Sequence, residues 1–160
     1  MGALEGMWSR MRRALRHDRR EEVLTLLCRE YLTQVKDSIQ FRRHAEHMRY
    51  PQFRDKLLRI AEAEERHAGT LKRRIIALGG DIPQISPAAE DGWNNWEELR
   101  LDLDDERQRF WDLEGQLPMV EQVDSETATV LRYILEDERK HHEAIVGMLM
   151  RSDPQAGAIA

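Results

Sequence analysis

The sequence predicts an all-α fold: an antiparallel four-helix bundle of two helical hairpins joined by a long crossover. Apolar residues recur at three- and four-residue steps through four long segments, as they do in helices that bury one stripe. Two of the connections are only a few residues long, which makes each flanking pair of helices an antiparallel hairpin. Between the hairpins lie about fourteen residues, Gly79 to Gly92, with Pro83 and Pro87 and no helical period. At ~3.3 Å per residue this stretch reaches about 45 Å, against about 40 Å for a 27-residue helix at ~1.5 Å rise. It can traverse the bundle and leave the second and third helices parallel.

The elements follow in order. Residues 1–19 form a basic extension; residues 1–20 hold six Arg against Glu5 and Asp18, a balance of 6 − 2 = +4. Leu4, Met7, Met11 and Leu15 recur at helical spacing beside Trp8, the pattern of a basic amphipathic helix. Such a helix packs on its own domain or a second subunit, or docks on a membrane surface or protein partner. No secretory signal is visible and no stretch approaches a membrane span. The bundle occupies residues 20–150. Its first helix runs from about Arg20 to Met48 and is broken at Tyr50-Pro51, since a residue before Pro is biased away from helical geometry. The second runs from about Gln52 to Leu78 and stops at Gly79-Gly80. The third starts near Trp93 and carries Pro118, which is expected to kink or end it. The fourth starts after Asp124-Ser125, either of which can cap it, and fades near Met150. Residues 151–160 are read as a flexible tail.

Composition supports one such domain. At 160 residues the chain can bury one sizeable core, and its 41% hydrophobic and 34% charged content suits helices with an apolar stripe and a charged exterior. The formal net charge of 25 − 30 = −5 argues against nucleic-acid binding. The single cysteine, Cys28, allows no internal disulfide and fits a reducing, cytoplasmic setting, with the thiol as a buried packing residue. Trp93, Trp96 and Trp111 fit packing at the start and flank of the third helix, and His44, His47 and His142 fall beside the seams as surface or edge residues.

Within the seams sits a chemical pattern. The first helix reads Val23, Leu27, Glu30, Gln34, Asp37, Phe41, Ala45, Met48; the second Phe53, Leu57, Ile60, Glu64, His67, Leu71, Ile75, Leu78. The third reads Trp96, Leu99, Leu103, Glu106, Phe110, Leu113, Leu117, Val120, and the fourth Leu131, Ile134, Glu138, His141, Ile145, Met148. Glu64-x-x-His67 and Glu138-x-x-His141 each follow an in-phase glutamate, Glu30 and Glu106, roughly one hairpin upstream. One glutamate on each of two helices plus a Glu-x-x-His pair on each of two others is the set with which a helical bundle holds two metal ions. Ionised carboxylates in an apolar interior need a positive partner. No Arg or Lys falls on the four seams so read, so two divalent cations are expected to neutralise the four glutamates, with both histidines neutral.

These residues and the crossover resemble the ferritin-like carboxylate-bridged diiron superfamily, most closely its bacterioferritin and rubrerythrin branch. The strings LRLDLDDE (Leu99 to Glu106), LGGDIP (Leu78 to Pro83) and ILEDERKH (Ile134 to His141) add to the resemblance, which covers roughly residues 20 to 150. It implies two iron ions per chain, manganese or a mixed pair being alternatives. Glu64 and Glu138 would be bridging carboxylates, Glu30 and Glu106 terminal ones, and His67 and His141 would each ligate one metal. Asp37, Asp102 and Asp137 are candidates to orient the histidines, with solvated surface the plainer reading of the last two. Asp37 stands where family members often carry Tyr, and is read as an extra ligand, a proton relay or a hydrogen-bonded seam residue. Glu65 stands where bacterioferritin-like chains carry a haem-ligating Met, so haem is not expected. The chain after Met150 does not read as a fifth, shell-building helix, so a homodimer or other small oligomer is expected.

Three function classes follow. The favoured one is an oxidoreductase of ferroxidase or peroxidase type, with Fe(II) and O2 or H2O2 as substrates. A second is a membrane-associated hydroxylase resembling the demethoxyubiquinone hydroxylase family. The third is a metal-binding or structural bundle without turnover. A large apolar channel to the metals would favour the hydroxylase.

Overall fold

The computed structural model describes residues 2–86 and 89–155. Four helices account for most of them: α1 (Gly2–His47), α2 (Pro51–Ala77), α3 (Asn95–Val123) and α4 (Ser125–Leu149), and no strand occurs among the described residues.

The helix ends are set by local chemistry. Tyr50, ahead of Pro51, adopts extended φ −97 and ψ 106, and Pro51 takes the first helical turn, where its missing N–H removes no hydrogen bond. α2 stops on Gly79 at φ 76, with the Gly79 and Gly80 amides donating back to the carbonyls of Ile76 and Ile75. That double bond is the left-handed C-terminal cap that glycine adopts without a Cβ clash. Asn94 caps α3 by accepting the Glu97 amide at 2.9 Å. A single residue, Asp124, with φ −155, separates α3 from α4. Of the kink or stop expected at Pro118, the stop does not occur: α3 continues to Val123. It is exposed five residues from the helix end at Val123, where solvent can satisfy the freed Glu114 carbonyl, while Leu113 and Val120 on either side are buried.

α1 packs on α2 and α3, and α4 on the same two, so α1 and α4 lie on one diagonal and α2 and α3 on the other. Arg19–Gln122, Asp37–Arg109 and Gln40–Asp102 place α1 antiparallel to α3. Arg74–Thr127 and His67–Asp137 do the same for α2 and α4. The parallel diagonal of α2 and α3 matches the traversing crossover. That segment runs along α1: the Cys28 thiol lies 3.8 Å from the Asp81 carbonyl, and Lys36, Arg43 and His44 engage Glu90 or Asp91. Cys28 is half-buried against the crossover rather than in the core. α1 begins well before Arg20: it continues N-terminally past the level where Arg19 meets Gln122 and Arg20 meets the Leu78 carbonyl. The side-chain packing of Leu4, Met7, Trp8, Met11 and Leu15, Pro87 in the crossover, and residues 156–160 of the tail lie outside what the structure describes. Residues 151–155 are described, with Ser152 buried and the Pro154 carbonyl accepting from Asn94.

Side-chain packing divides the core into two apolar clusters. One holds Leu27, Leu71, Ile75, Leu113, Leu131 and Ile134; the other holds Phe41, Phe53, Leu57, Leu99, Ile145 and Met148. The seams of α1, α2 and α4 are buried as read, Leu78 excepted. The α3 seam is turned. Its buried line steps through Asn95, Leu99, Asp102, Glu106, Arg109, Leu113 and Val120, leaving Trp96, Leu103, Phe110 and Leu117 at its edge. Trp93 and Trp111, expected to pack, are 68% and 64% exposed. His44, expected at the surface, is fully buried, and so is Asp102. His47 also engages a buried carboxylate, with Nδ1 2.9 Å from Glu98.

His44 bridges three segments. Nδ1 meets Asp102 at 3.0 Å and Nε2 meets the Glu90 carbonyl at 2.7 Å, while Gln40 donates to the other Asp102 oxygen. Both ring partners are acceptors, so the ring donates from both nitrogens as imidazolium. Burial pushes its pKa down, but Asp102 outweighs burial and the net displacement is upward. A raised basic pKa contributes stability that is fully present below the unfolded value of ~6.5 and is lost as pH rises through the folded one. His44→Ala is therefore expected to lower unfolding free energy by about 3–5 kcal/mol near pH 6, as removal of one partner of a buried pair does. The deficit should narrow toward pH 9, as read by urea denaturation at both pH values.

Candidate metal centre

Between the two apolar clusters lies a polar layer. Glu30 from α1, Glu64 and His67 from α2, Glu106 from α3, and Glu138 and His141 from α4 all reach it, each at most 9% exposed. Glu64, Glu106, Glu138 and His141 can each offer a ligand atom such that all four lie within 4.8 Å of one another. His67 flanks this group, with Nδ1 3.6 Å from Glu64 Oε2 and 4.0 Å from Glu138 Oε1. The two imidazoles face each other at 6.1 Å, tilted by 28°. All six residues expected from the sequence converge on one layer, and Glu30 closes its α1 side.

The layer also contains what the sequence reading excluded, a buried cation. Arg109, 8% exposed, contacts Asp37 directly, and its guanidinium lies 3.7 Å from Glu106 and 3.9 Å from Glu138. The expected seam stepped four residues from Glu106 to Phe110, whereas the helix turns three residues to Arg109. Asp37 was the available signal: a carboxylate on an otherwise buried α1 face needs a partner. Asp37 and Arg109 neutralise each other. That leaves Glu30, Glu64, Glu106 and Glu138, with Arg29 half-exposed beside Glu30.

Electrostatics record the strain. Burial pushes Glu30 up against the pull of Arg29, and pushes Glu106 well up, aided by the charge of Glu138. Asp37 is raised to about 7, again mainly by burial, despite Arg109. Glu64 alone among these is displaced downward, because contacts with His141 and His67 outweigh its burial. Among the described residues, the buried polar atoms without a hydrogen-bond partner are one oxygen of Glu30, both of Glu64, both of Glu106, one of Glu138, Nδ1 of His141 and one Arg109 nitrogen. His141 Nδ1 and Glu64 Oε1 approach to 2.8 Å without hydrogen-bond alignment. Buried polar groups are nearly always satisfied. Unpaired carboxylate oxygens and an imidazole nitrogen converging on one spot form an oxygen-rich donor set that suits iron or manganese.

Further residues shape the layer. Gln34, unremarked beyond its seam position, donates from Nε2 to Glu138 Oε1 at 2.7 Å and places Oε1 3.1 Å from His67 Nδ1. Asp137 lies 3.3 Å from His67 Nε2 and so orients that ring, although part of it is exposed. Asp102 does not act on the layer; it serves His44. Two openings reach the site from outside. A pocket of about 300 Å³ between α3 and α4 is walled by Phe110 and Trp111 and ends on Glu106 and Glu138. A polar groove of similar size between α1 and α3 ends on Glu30, Asp37 and Arg109.

Comparison with known proteins agrees with this architecture. A sequence model of the family described as Ferritin-like domain matches residues 29–151. Among solved structures, the chain is similar to Mycobacterium tuberculosis bacterioferritin BfrA, at 24% identity and TM-score 0.74, covering 81% of this chain and 85% of that one. It is also similar to the Desulfovibrio desulfuricans bacterioferritin, whose diiron site was captured in different catalytic states, at 23% identity and TM-score 0.76, covering 85% and 82%. No curated protein sequence matches significantly.

A carboxylate whose pKa is raised by folding destabilises the fold increasingly as pH climbs from its unfolded to its folded value. Glu106→Gln keeps the shape and removes one such charge. The variant is expected to stabilise metal-free protein by about 1–3 kcal/mol at pH 8, the size of a buried unpaired group's penalty. The gain should vanish at pH 4, where Glu106 of the parent is protonated in the fold; thermal melts in chelator at both pH values check this.

Proposed function

Because the chain belongs to the ferritin-like domain family, we propose that it is an iron-handling oxidoreductase. In this reading it binds two iron ions per chain through Glu30, Glu64, His67, Glu106, Glu138 and His141, and oxidises Fe(II) with O2 or H2O2. The observation that carries the reading is the set of unsatisfied buried carboxylate oxygens of Glu30, Glu64, Glu106 and Glu138 around a layer whose buried guanidinium, Arg109, is already taken by Asp37. Two divalent ions offset the four glutamates that remain. Manganese or a mixed pair satisfies the same donors, and metal analysis distinguishes them.

Each group has a task under this proposal. Glu64 and Glu138, central in the layer, would hold both ions; Glu30 and Glu106 would hold one each from the sides, and His67 and His141 would each offer a ring nitrogen. Bound iron supplies the electrons: two Fe(II) lose one each, reducing H2O2 and two protons to two waters, or O2 and two protons to H2O2. Asp37, raised to about 7 and beside the polar groove, is placed to pass protons between solvent and the layer. The apolar clusters on both sides exclude water and limit leakage of reactive species.

The α3–α4 pocket bears on the substrate. Its ~300 Å³ sits at the bottom of the range for organic-ligand sites and suits a small neutral oxidant better than a lipophilic substrate. None of the described helices is long and apolar enough to cross a membrane. The assembly proposed is a homodimer.

The test is stopped-flow absorbance on protein loaded anaerobically with two Fe(II) per chain and mixed with O2 or H2O2. A ferric charge-transfer band should form at least about a hundredfold faster than in His67→Ala or His141→Ala, the lower end of what a positioned catalytic group contributes. Glu64→Ala and Glu138→Ala should fold and fail to retain two metals. Equal rates in parent and His variants would reduce the protein to a passive metal binder.

A further inference from the structure

The pseudo-twofold of the bundle relates Glu30 to Glu106 and the α2 Glu-x-x-His pair to the α4 pair, so the halves of the metal layer should match. They do not. Four residues after Glu30 stands Gln34, buried and bonded to both Glu138 and His67; four residues after Glu106 stands Phe110, which offers neither donor nor acceptor. The Gln34 amide orientation is dictated by its partners, since only the NH2 end can face a carboxylate.

The consequence is a division of unsatisfied atoms. In the half shared by Glu64, Glu106, Glu138 and His141, both Glu64 oxygens, both Glu106 oxygens, Glu138 Oε2 and His141 Nδ1 lack partners. In the other half only Glu30 Oε2 lacks a partner: His67 Nδ1 is taken by Gln34 and Nε2 by Asp137, Glu138 Oε1 is taken by Gln34, and Glu30 Oε1 by Arg29. Arg109 lies 3.9 Å from that same Glu138 oxygen and 3.7 Å from Glu106, so its charge bears on both halves and the difference rests on Gln34. Access does not separate the halves: the α3–α4 pocket opens on Glu106 and Glu138, and the polar groove of similar size opens on Glu30.

We propose that the two metal positions are unequal and fill in order: the first ion takes Glu64, Glu106, Glu138 and His141, and Gln34 latches the second position at Glu30 and His67 until it swings away. This inference rests on the metal-binding reading above and assigns Gln34 as a positioning residue that sets the affinity of the second ion. A latched second position suits a substrate ion that must enter and leave, beside a resident one.

The experiment is an anaerobic titration of metal-free protein with Co(II), followed by visible absorption and equilibrium dialysis. Two steps are expected, the second at least about tenfold weaker, the size of effect that hydrogen-bond partners of ligands exert on metal affinity. Glu106→Gln should abolish the tight step and Glu30→Gln should leave it intact. Gln34→Leu, checked for helicity by circular dichroism, should strengthen the second step roughly tenfold by freeing His67 and Glu138. Two ions of equal affinity overturn the inference while leaving the metal reading in place. Loss of the tight step in Glu30→Gln with its survival in Glu106→Gln also overturns it, whatever Gln34→Leu does. Failure of the parent protein to bind any Co(II) overturns both.

Discussion

The structure turns on the desolvation of carboxylates. Glu30, Asp37, Glu64, Glu106 and Glu138 sit in one layer of a bundle core, each at most 4% exposed. Taking ionised groups out of water costs several kcal/mol apiece unless opposite charge and hydrogen bonds offset it. Arg109 offsets one charge, Gln34 and Arg29 each satisfy one of the remaining glutamate oxygens, and the residual demand is for cations from outside. Because stability leans on what fills the layer, binding there is also folding free energy.

A layer under such repulsion needs a rigid frame, and the frame is supplied at a distance from it. The apolar clusters on either side fix the helix phases that aim all four glutamates inward. Short connections at Tyr50 and Asp124 set the vertical register of each hairpin, and the Gly79 cap releases the chain into the crossover. His44 then ties α1, α3 and the crossover together through Asp102 and the Glu90 carbonyl. This second buried polar cluster is fully paired, whereas the carboxylate layer is not. That contrast is why one reads as architecture and the other as a binding site.

Much of this was legible in the sequence. The four helices, the parallel diagonal and the six convergent donors follow from apolar periodicity and from the spacing of the Glu-x-x-His pairs, because seam positions and ligand positions obey the same helical phase. What escaped had specific causes. An α3 face can be continued from Glu106 by three residues or by four; the choice of Phe110 hid Arg109 and, with it, the partner of Asp37. His44 looked peripheral for the same reason, since Asp102 lies on the turned face. The helical stretch before Arg20 reads as a separate basic amphipathic segment, whereas it continues into α1, and Pro118 is tolerated because buried neighbours hold the last turns of α3. Gln34 was on the page as a seam residue; its role needed the distances to Glu138 and His67.

The most direct test of the account is where metal sits. Crystals of the metal-free protein soaked anaerobically with Fe(II) and measured on both sides of the iron absorption edge would locate it by anomalous difference. The account predicts density among Glu64, Glu106, Glu138 and His141, with a second, less occupied peak toward Glu30 and His67. Iron bound only at surface carboxylates, with the buried layer carrying no anomalous signal and Arg109 drawn into its centre, would contradict it.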